Sequence, residues 1–236
     1  MTTDLRGRTA LVTGGSRGIG AAVVRALADA GITVAINYRA RADTAARLAR
    51  SIDEAGGRAV AIAADVSQAD AVARLVERAQ AELGPIDILV NNAGIAITRG
   101  IDDLSEDDFD RTIAVNLKSV FLCTQAVLPG MRARRWGRIV NISSGAARGA
   151  GSIGPHYNAS KAGVEGMTRG YAARHDRADD CDERWHGVQL RPRRKPARRQ
   201  AEFAVVSAAP RRWPRSRRAP PVRRGAPPAP APSRDN

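Results

Sequence analysis

Apolar runs at residues 9–13, 33–37, 59–63, 86–91 and 137–143 alternate with stretches of helical spacing at 21–30, 42–55, 69–83 and 105–134. Short apolar runs separated by amphipathic stretches predict a βαβα rhythm. Segments such as Ala10-Leu11-Val12 and Ile88-Leu89-Val90 are apolar at consecutive positions, so both faces of each strand are expected to lie under helices. An α/β fold with a doubly wound parallel sheet follows.

The rhythm stops near residue 174, and composition changes there too. The first 174 residues carry 22 Lys and Arg against 17 Asp and Glu, whereas the last 62 carry 16 against 7 and hold ten of the 13 prolines. Residues 1–174 are therefore read as one domain and 175–236 as an Arg/Pro/Ala-rich tail that is expected to be disordered, because it cannot bury enough apolar surface to offset its ordering entropy. The sheet is expected to be truncated after about five strands. Only residues 201–209 offer a further strand-like run. An unpaired fifth strand would then present an open apolar edge, a hazard for aggregation.

Fifteen arginines to a single lysine in the tail fit a GC-rich gene read out of frame, and a frameshift near codon 174 is the working hypothesis. The opposing reading is an evolved basic arm. It lacks aromatic interleaving and any recognised nucleic-acid module, so weak polyanion binding is expected of it and specific nucleic-acid recognition is not.

Other classes fall away quickly. No apolar run approaches the roughly 18 residues a membrane span needs, and the N-terminus lacks a basic segment followed by an apolar one. A soluble, cytoplasmic protein is the expectation, with no membrane partner. Cys123 and Cys181 stand 58 positions apart without His or Cys at ligand spacing, so neither a disulfide framework nor a metal site is expected.

Between the first run and the first helical stretch lies Thr13-Gly14-Gly15-Ser16-Arg17-Gly18-Ile19-Gly20. Glycines allow positive φ and close backbone approach there, and the following helix N-terminus offers free N–H groups to a pyrophosphate. Strand, Gly-rich turn and helix in this order point to a Rossmann-type dinucleotide site at Gly14, Ser16, Arg17, Gly18, Ile19 and Gly20. The second run ends in Asn37-Tyr38-Arg39, without the carboxylate that would bind a ribose 2′-hydroxyl. Arg39 and Arg17 could instead pair with a 2′-phosphate, which favours NADP(H), with Tyr38 beside them. Asp65-Val66 and Asn92-Ala93-Gly94 follow the third and fourth runs, at the strand ends where open α/β sheets bind ligands.

Ser143-Ser144 follows the fifth run, and Tyr157-Asn158-Ala159-Ser160-Lys161 opens the next helical stretch. Tyr157 and Lys161 are four apart and share a helix face, where a nearby cation favours the phenolate and makes Tyr157 a usable acid or base near neutral pH. His156 is expected to pack or be solvated. Ser105 with Glu106-Asp107-Asp108 reads as an N-cap and acidic first turn rather than a catalytic carboxylate pair.

Thr-Gly-Gly-Ser-Arg-Gly-Ile-Gly, Asn-Asn-Ala-Gly, Val-Asn-Leu-Lys-Ser-Val-Phe and Tyr-Asn-Ala-Ser-Lys, in this order, resemble the short-chain dehydrogenase/reductase family from about Arg8 to Arg174. Within it the text is most similar to 3-oxoacyl-[acyl-carrier-protein] reductases and related sugar and alcohol dehydrogenases. The resemblance implies that Tyr157 exchanges a proton with the substrate oxygen, that Lys161 holds the nicotinamide ribose and tunes Tyr157, and that Ser144 rather than Ser143 polarises the carbonyl. It assigns Asn116 a water-relay role, Asp65 and Val66 the adenine, and Asn92, Ala93 and Gly94 the ribose side. It also implies NADP(H), a small-molecule or carrier-bound carbonyl substrate, fatty acid synthesis as the best-guess setting, and a homo-oligomer if the chain is intact. The family continues with a sixth strand ending in a Pro-Gly turn and a seventh strand, which this text does not show, so an inactive remnant or a polyanion binder stand as the alternatives.

Overall fold

The computed structural model describes residues 5–175 and 202–206. β1 (Thr9–Val12), α1 (Gly18–Asp29), β2 (Thr33–Tyr38), α2 (Ala42–Glu54), β3 (Ala59–Ala63), α3 (Ala69–Leu83), β4 (Ile88–Asn91), α4 (Glu106–Ile113), α5 (Ser119–Ala133), β5 (Arg138–Ile142), α6 (Pro155–His175) and β6 (Glu202–Val206) follow one another. The strands form one parallel sheet in the order β3-β2-β1-β4-β5-β6. The reversal between β1 and β4 is the switch point at which open α/β sheets bind ligands, at their carboxyl ends.

Two apolar layers cover the sheet. Leu11, Ala35, Ile62, Leu89 and Ile139 point to one side and meet α3 and α5 through Leu75, Val127 and Met131. Ala10, Val12, Val34, Ile36 and Val90 point to the other, where Val24, Leu48 and Ile52 of α1 and α2 close over them. All four residues of β1 and all four of β4 are consequently buried. β5 differs: Ile139 and Asn141 are buried while Arg138, Val140 and Ile142 are only half-buried. The second face of this strand is thus only partly covered among the described residues, with Val140 and Ile142 packed against the edge of the second layer.

Among the described residues the sheet has six strands where about five were expected. β6 falls inside the strand-like run at 201–209 and pairs with β5 over its whole length, from Arg138 with Glu202 to Ile142 with Val206. Its Phe-Ala-Val-Val core is a strand former, but between Arg/Pro-rich flanks nothing in the local pattern showed that it would join this sheet. The outer edge of β5 is therefore paired with β6, and the open edge expected at that strand does not exist. The disorder expected of residues 175–236 does not hold at His175, the end of α6, or at β6, because pairing with β5 orders the strand-like run; residues 176–201 and 207–236 lie outside the described residues.

α4 and α5 run on as one helical rod, joined by a single π-helical turn at Ala114–Lys118. Ser105 accepts the Asp108 amide at 3.1 Å as the N-cap, with Glu106, Asp107 and Asp108 in the first turn as the sequence predicted. The rod, Glu106–Ala133, holds a stretch of mean hydropathy 1.3 that is long and apolar enough to cross a membrane by length and composition, contrary to the sequence expectation. Here that apolarity has an internal use: Cys123, Val127, Leu128 and Met131 belong to the core.

Candidate functional site

At the carboxyl end of β1 the chain turns through Gly14 (φ +61°) and Gly18 (φ +54°) into α1. Only glycine takes this left-handed backbone without strain. Asn37, buried at the end of β2, holds the turn: its Oδ1 accepts the Gly14 amide at 3.2 Å, its carbonyl accepts that of Gly15 at 2.8 Å, and its Nδ2 donates to the Ala64 carbonyl at 3.1 Å. One side chain thereby fixes the ends of three strands. From the other flank Asn92 Nδ2 donates to the Thr13 and Gly14 carbonyls at 2.9 and 3.1 Å. A methyl group on Gly20 would meet that nitrogen at 2.5 Å and the Gly14 oxygen at 2.4 Å, so the first turn of α1 packs on the loop with no room for a side chain.

These residues enclose a cleft of about 430 Å³ lined by the glycine loop, the ends of β2 and β3, and Asn92, Ala93 and Gly94. Every residue the sequence assigned to the adenosine and pyrophosphate end lines it: Gly14, Ser16, Arg17, Gly18, Ile19, Gly20, Tyr38, Arg39, Asp65 and Val66. Arg41 joins them and was not foreseen. Arg17 occupies the N-cap of α1 without a capping hydrogen bond from its side chain, and no acidic residue sits in the first turn. The amides and dipole of α1 are thus presented to the cleft, a setting that fits a bound pyrophosphate. Arg39 is 3.5 Å from the Asp65 carboxylate. Partial burial pulls the Asp65 carboxyl upward, but hydrogen bonds from Ser67 and the Arg39 charge outweigh it and hold the group below its ordinary range.

Asn116, Ser144, Tyr157 and Lys161 lie past Gly94 and do not line that cleft. Gly94 joins the two regions: a methyl there would stand 3.4 Å from Asn116 Oδ1 and 3.7 Å from Lys161 Nζ. The π turn places Asn116 so that its amide grips the backbone of Ile95 twice, accepting its N–H at 2.7 Å and donating to its carbonyl at 2.9 Å. Asn116 Nδ2 also reaches Ser160 Oγ at 3.2 Å. Such one-turn bulges often mark functional positions.

Tyr157, Lys161, Glu165 and Thr168 recur at helical spacing along the face of α6 that meets β5. Lys161 Nζ lies 5.9 Å from the Tyr157 ring centre and donates to the Ile142 carbonyl at 2.9 Å. Burial pushes the Lys161 ammonium down to about 8. Ser143, next along β5, turns its hydroxyl to the Lys161 carbonyl and to Glu165 Oε1, both at 3.3 Å. Ser144 points elsewhere and caps the short 3-10 turn Gly145–Ala147, its Oγ accepting the Ala146 amide at 3.2 Å. The two adjacent serines are thereby divided, Ser143 buried in the helix contact and Ser144 half-buried outside it. Deeper in the seam, Asn141 Nδ2 donates to Thr168 Oγ1 at 2.8 Å, and Asn91 Nδ2 to Asn141 Oδ1 at 2.9 Å.

His156 packs as expected, fully buried with Nε2 against the Ile97 carbonyl at 2.9 Å. Trp136 carries the Arg8 guanidinium 4.0 Å above its ring and Arg138 at 4.9 Å, away from the cleft. Cys123 is buried, which pushes its thiol up to about 12 and leaves it inert. No cluster of metal-ligating side chains occurs among the described residues. Sequence reading missed Asn37 and Glu165. The signals available were a polar residue closing an apolar run and the continuation of the Tyr-Lys spacing by four more positions.

A short chain dehydrogenase family model matches residues 8–179. The 3-oxoacyl-[acyl-carrier-protein] reductase of Synechocystis sp. is 41% identical over 167 residues, covering 71% of this chain and 68% of the relative. The chain spans about two thirds of the length of such curated relatives. Among solved structures, a metagenomic short-chain oxidoreductase in complex with NADP superposes with a TM-score of 0.73 at 33% identity, over 87% of this chain and 83% of that one. A blue fluorescent protein from a metagenomic library, in complex with NADPH, gives 0.68 at 42% identity over 73% and 70%. With motifs, topology and family model in agreement over the same residues, the chain belongs to the short chain dehydrogenase family of oxidoreductases.

Proposed function

We propose that residues 1–174, completed at the sheet edge by β6, form an NADP(H)-dependent reductase of carbonyl substrates, with a 3-oxoacyl thioester on an acyl carrier as the substrate class. The observation that carries the reading is the Tyr157–Lys161 pair on α6, whose ammonium is buried and only 5.9 Å from the phenol ring. Tyr157 Oη passes a proton to the substrate oxygen on reduction and takes it back on oxidation. Ser144 donates a hydrogen bond to the same oxygen, while Ser143 stays in the helix contact. Asn116 fixes Ile95 and thus the strand end that faces Lys161.

The nicotinamide group, when bound, supplies or accepts the hydride. Gly14, Ser16, Arg17, Gly18, Ile19 and Gly20 would hold its pyrophosphate, Asp65 and Val66 the adenine, Asn92, Ala93 and Gly94 the ribose side, and Tyr157 with Lys161 the nicotinamide ribose. Arg17, Tyr38 and Arg39 would receive a 2′-phosphate. The carrier-linked substrate rests on relatives named for that reaction, about 40% identical. A sugar or alcohol substrate is the alternative within the family. Phe109 and Phe121 on the outer face of the α4–α5 rod, each 44% exposed, support assembly into a homo-oligomer through that face.

The test is NADPH oxidation by the full chain with a 3-oxoacyl thioester. Turnover is expected in the parent, and Tyr157→Phe should lower kcat by about a thousandfold or more, with cofactor affinity nearly unchanged. No turnover in the parent, or full turnover in the Phe variant, would overturn the assignment.

A further inference from the structure

Glu165 has no place in the reaction just described, yet its carboxylate is 5% exposed and fully engaged. Oε1 accepts from Ser143 Oγ at 3.3 Å, and Oε2 accepts from Arg148 Nε at 2.9 Å. Ser143 and Arg148 bound a segment of six residues, and Ser144 lies inside it. Ser143 at the start is also held by its N–H on the Val206 carbonyl at 2.8 Å, but from Ser144 onward the backbone hydrogen bonds among the described residues are local: Ala147 N–H to the Ser144 carbonyl at 3.0 Å, and the Arg148 and Gly149 amides to the Gly145 carbonyl at 3.2 and 3.0 Å. Three glycines, Gly145, Gly149 and Gly151, lie in or beside it. Such a stretch has little stiffness of its own.

We propose that Glu165 is a positioning residue that brackets the Ser144 turn at both ends and locks it to the helix carrying Tyr157 and Lys161. The inference rests on the proposed roles of Tyr157 as the proton-transferring group and Ser144 as a hydrogen-bond donor to the same substrate oxygen. Each carboxylate oxygen takes one end: Oε1 shares the single Ser143 hydroxyl proton with the Lys161 carbonyl, both at 3.3 Å, and Oε2 takes Arg148, so a single side chain links the fixed start of the turn to its otherwise locally held finish. A carboxylate only accepts, and its two oxygens can serve two donors at once. Because Glu165 sits one turn beyond Lys161 and two beyond Tyr157, the distance from the serine turn to the proton-transferring groups is set along one rigid helix. Ser143 is then a linker to Glu165, which accounts for why the first of two adjacent serines is buried.

The experiment compares the full chain with Glu165→Ala and Glu165→Gln. Hydrogen exchange followed by mass spectrometry is read at the amides of residues 145–149 and, as an internal control, in β1 and β2. In Glu165→Ala the 145–149 amides should exchange about tenfold faster while the control strands keep the parent's rate. In NADPH oxidation kcat should fall by roughly ten- to a hundredfold with the KM for NADPH unchanged. Glu165→Gln keeps an acceptor for Arg148 and a polar group for Ser143, and should restore both readouts to within about threefold of the parent. Parent-like exchange at 145–149 in Glu165→Ala would overturn the bracket, and so would an equal rise in β1 and β2, which marks general destabilisation. Exchange needs no turnover, so an inactive parent counts against the proposed reaction and leaves the bracket to be judged on the exchange data.

Discussion

The two halves of the sheet build their ligand-facing surfaces from different materials. Beside β1, β2 and β3 the surface is largely backbone: Gly14 and Gly18 at positive φ, an α1 N-terminus without a side-chain cap, and Gly20 pressed against the Gly14 carbonyl. Beside β5 it is made of buried side chains on α6, where Lys161, Glu165 and Thr168 each bond to a residue in or just after that strand. The first half has no room for an added atom at Gly20. The second tolerates no lost ones. A pyrophosphate needs many weak donors that only a bare backbone can crowd together, whereas proton transfer needs a few groups held by specific partners.

The sharpest way to break this contrast is to add one carbon on the backbone side. Gly20→Ala places a methyl 2.4 Å from a main-chain oxygen that cannot rotate away, and we expect about 3 kcal/mol of lost stability together with loss of NADPH binding. Gly18→Ala is the control, because its Cβ would meet nothing within 4 Å and only its φ of +54° opposes it. That variant should lose about 1 kcal/mol. Urea midpoints and NADPH fluorescence titrations check both, and equal losses would mean that packing on the loop is not what excludes a side chain at Gly20.

The same contrast governs what could be read before the fold was known. Gly14 to Gly20 and the Tyr157–Lys161 pair were legible because their chemistry lies in local spacing, three to six residues wide. Asn37 was not, since its value comes from Ala64, 27 positions away, and from the loop 23 positions before it. Glu165 was hidden similarly, 22 positions from Ser143. β6 pairs with β5 across more than 60 residues of chain, including the 26 between α6 and β6, and no periodicity reports such a partner. The second face of β5 is only partly covered for a related reason: an apolar run shows that a strand can be buried on both sides, and only the neighbouring elements decide how far it is.

On the side-chain half, Lys161 gives a prediction in pH. Burial lowers its ammonium to about 8 from the 10.5 of an unfolded lysine, so between these values the unfolded chain binds more protons than the folded one. Stability attributable to Lys161 therefore rises with pH through that window, and the full cost of burying the charge, about 3 kcal/mol, applies below pH 8. Cys123 acts in the opposite sense above pH 9, because its raised thiol holds a proton that the unfolded chain has lost. Comparing the parent with Lys161→Met cancels that contribution. The Met variant should be the more stable of the two at pH 7, and its advantage should shrink steadily toward pH 10. Urea unfolding at three pH values checks this, and an advantage independent of pH would show that Lys161 is not desolvated.

The smallest expected effect lies at the far end of the backbone half, at the Arg39–Asp65 pair over the end of the cleft. Both partners are substantially exposed, at 52% and 36%, so the pair itself contributes at most about 1 kcal/mol. Its interest is competitive. A 2′-phosphate that reaches Arg39 must share the guanidinium with a carboxylate already 3.5 Å away. Asp65→Asn removes the competitor, and whatever Asp65 gives to the adenine is lost equally for the phosphorylated and unphosphorylated dinucleotides. The ratio of their affinities therefore isolates the phosphate. We expect Asp65→Asn to shift that ratio about threefold toward NADPH, and Arg39→Ala to shift it about tenfold the other way. Both shifts should weaken as salt is raised, since exposed charges are screened. A ratio unmoved by Arg39→Ala would transfer the phosphate to Arg17 and Arg41 and make the Asp65 contact irrelevant to the choice of cofactor.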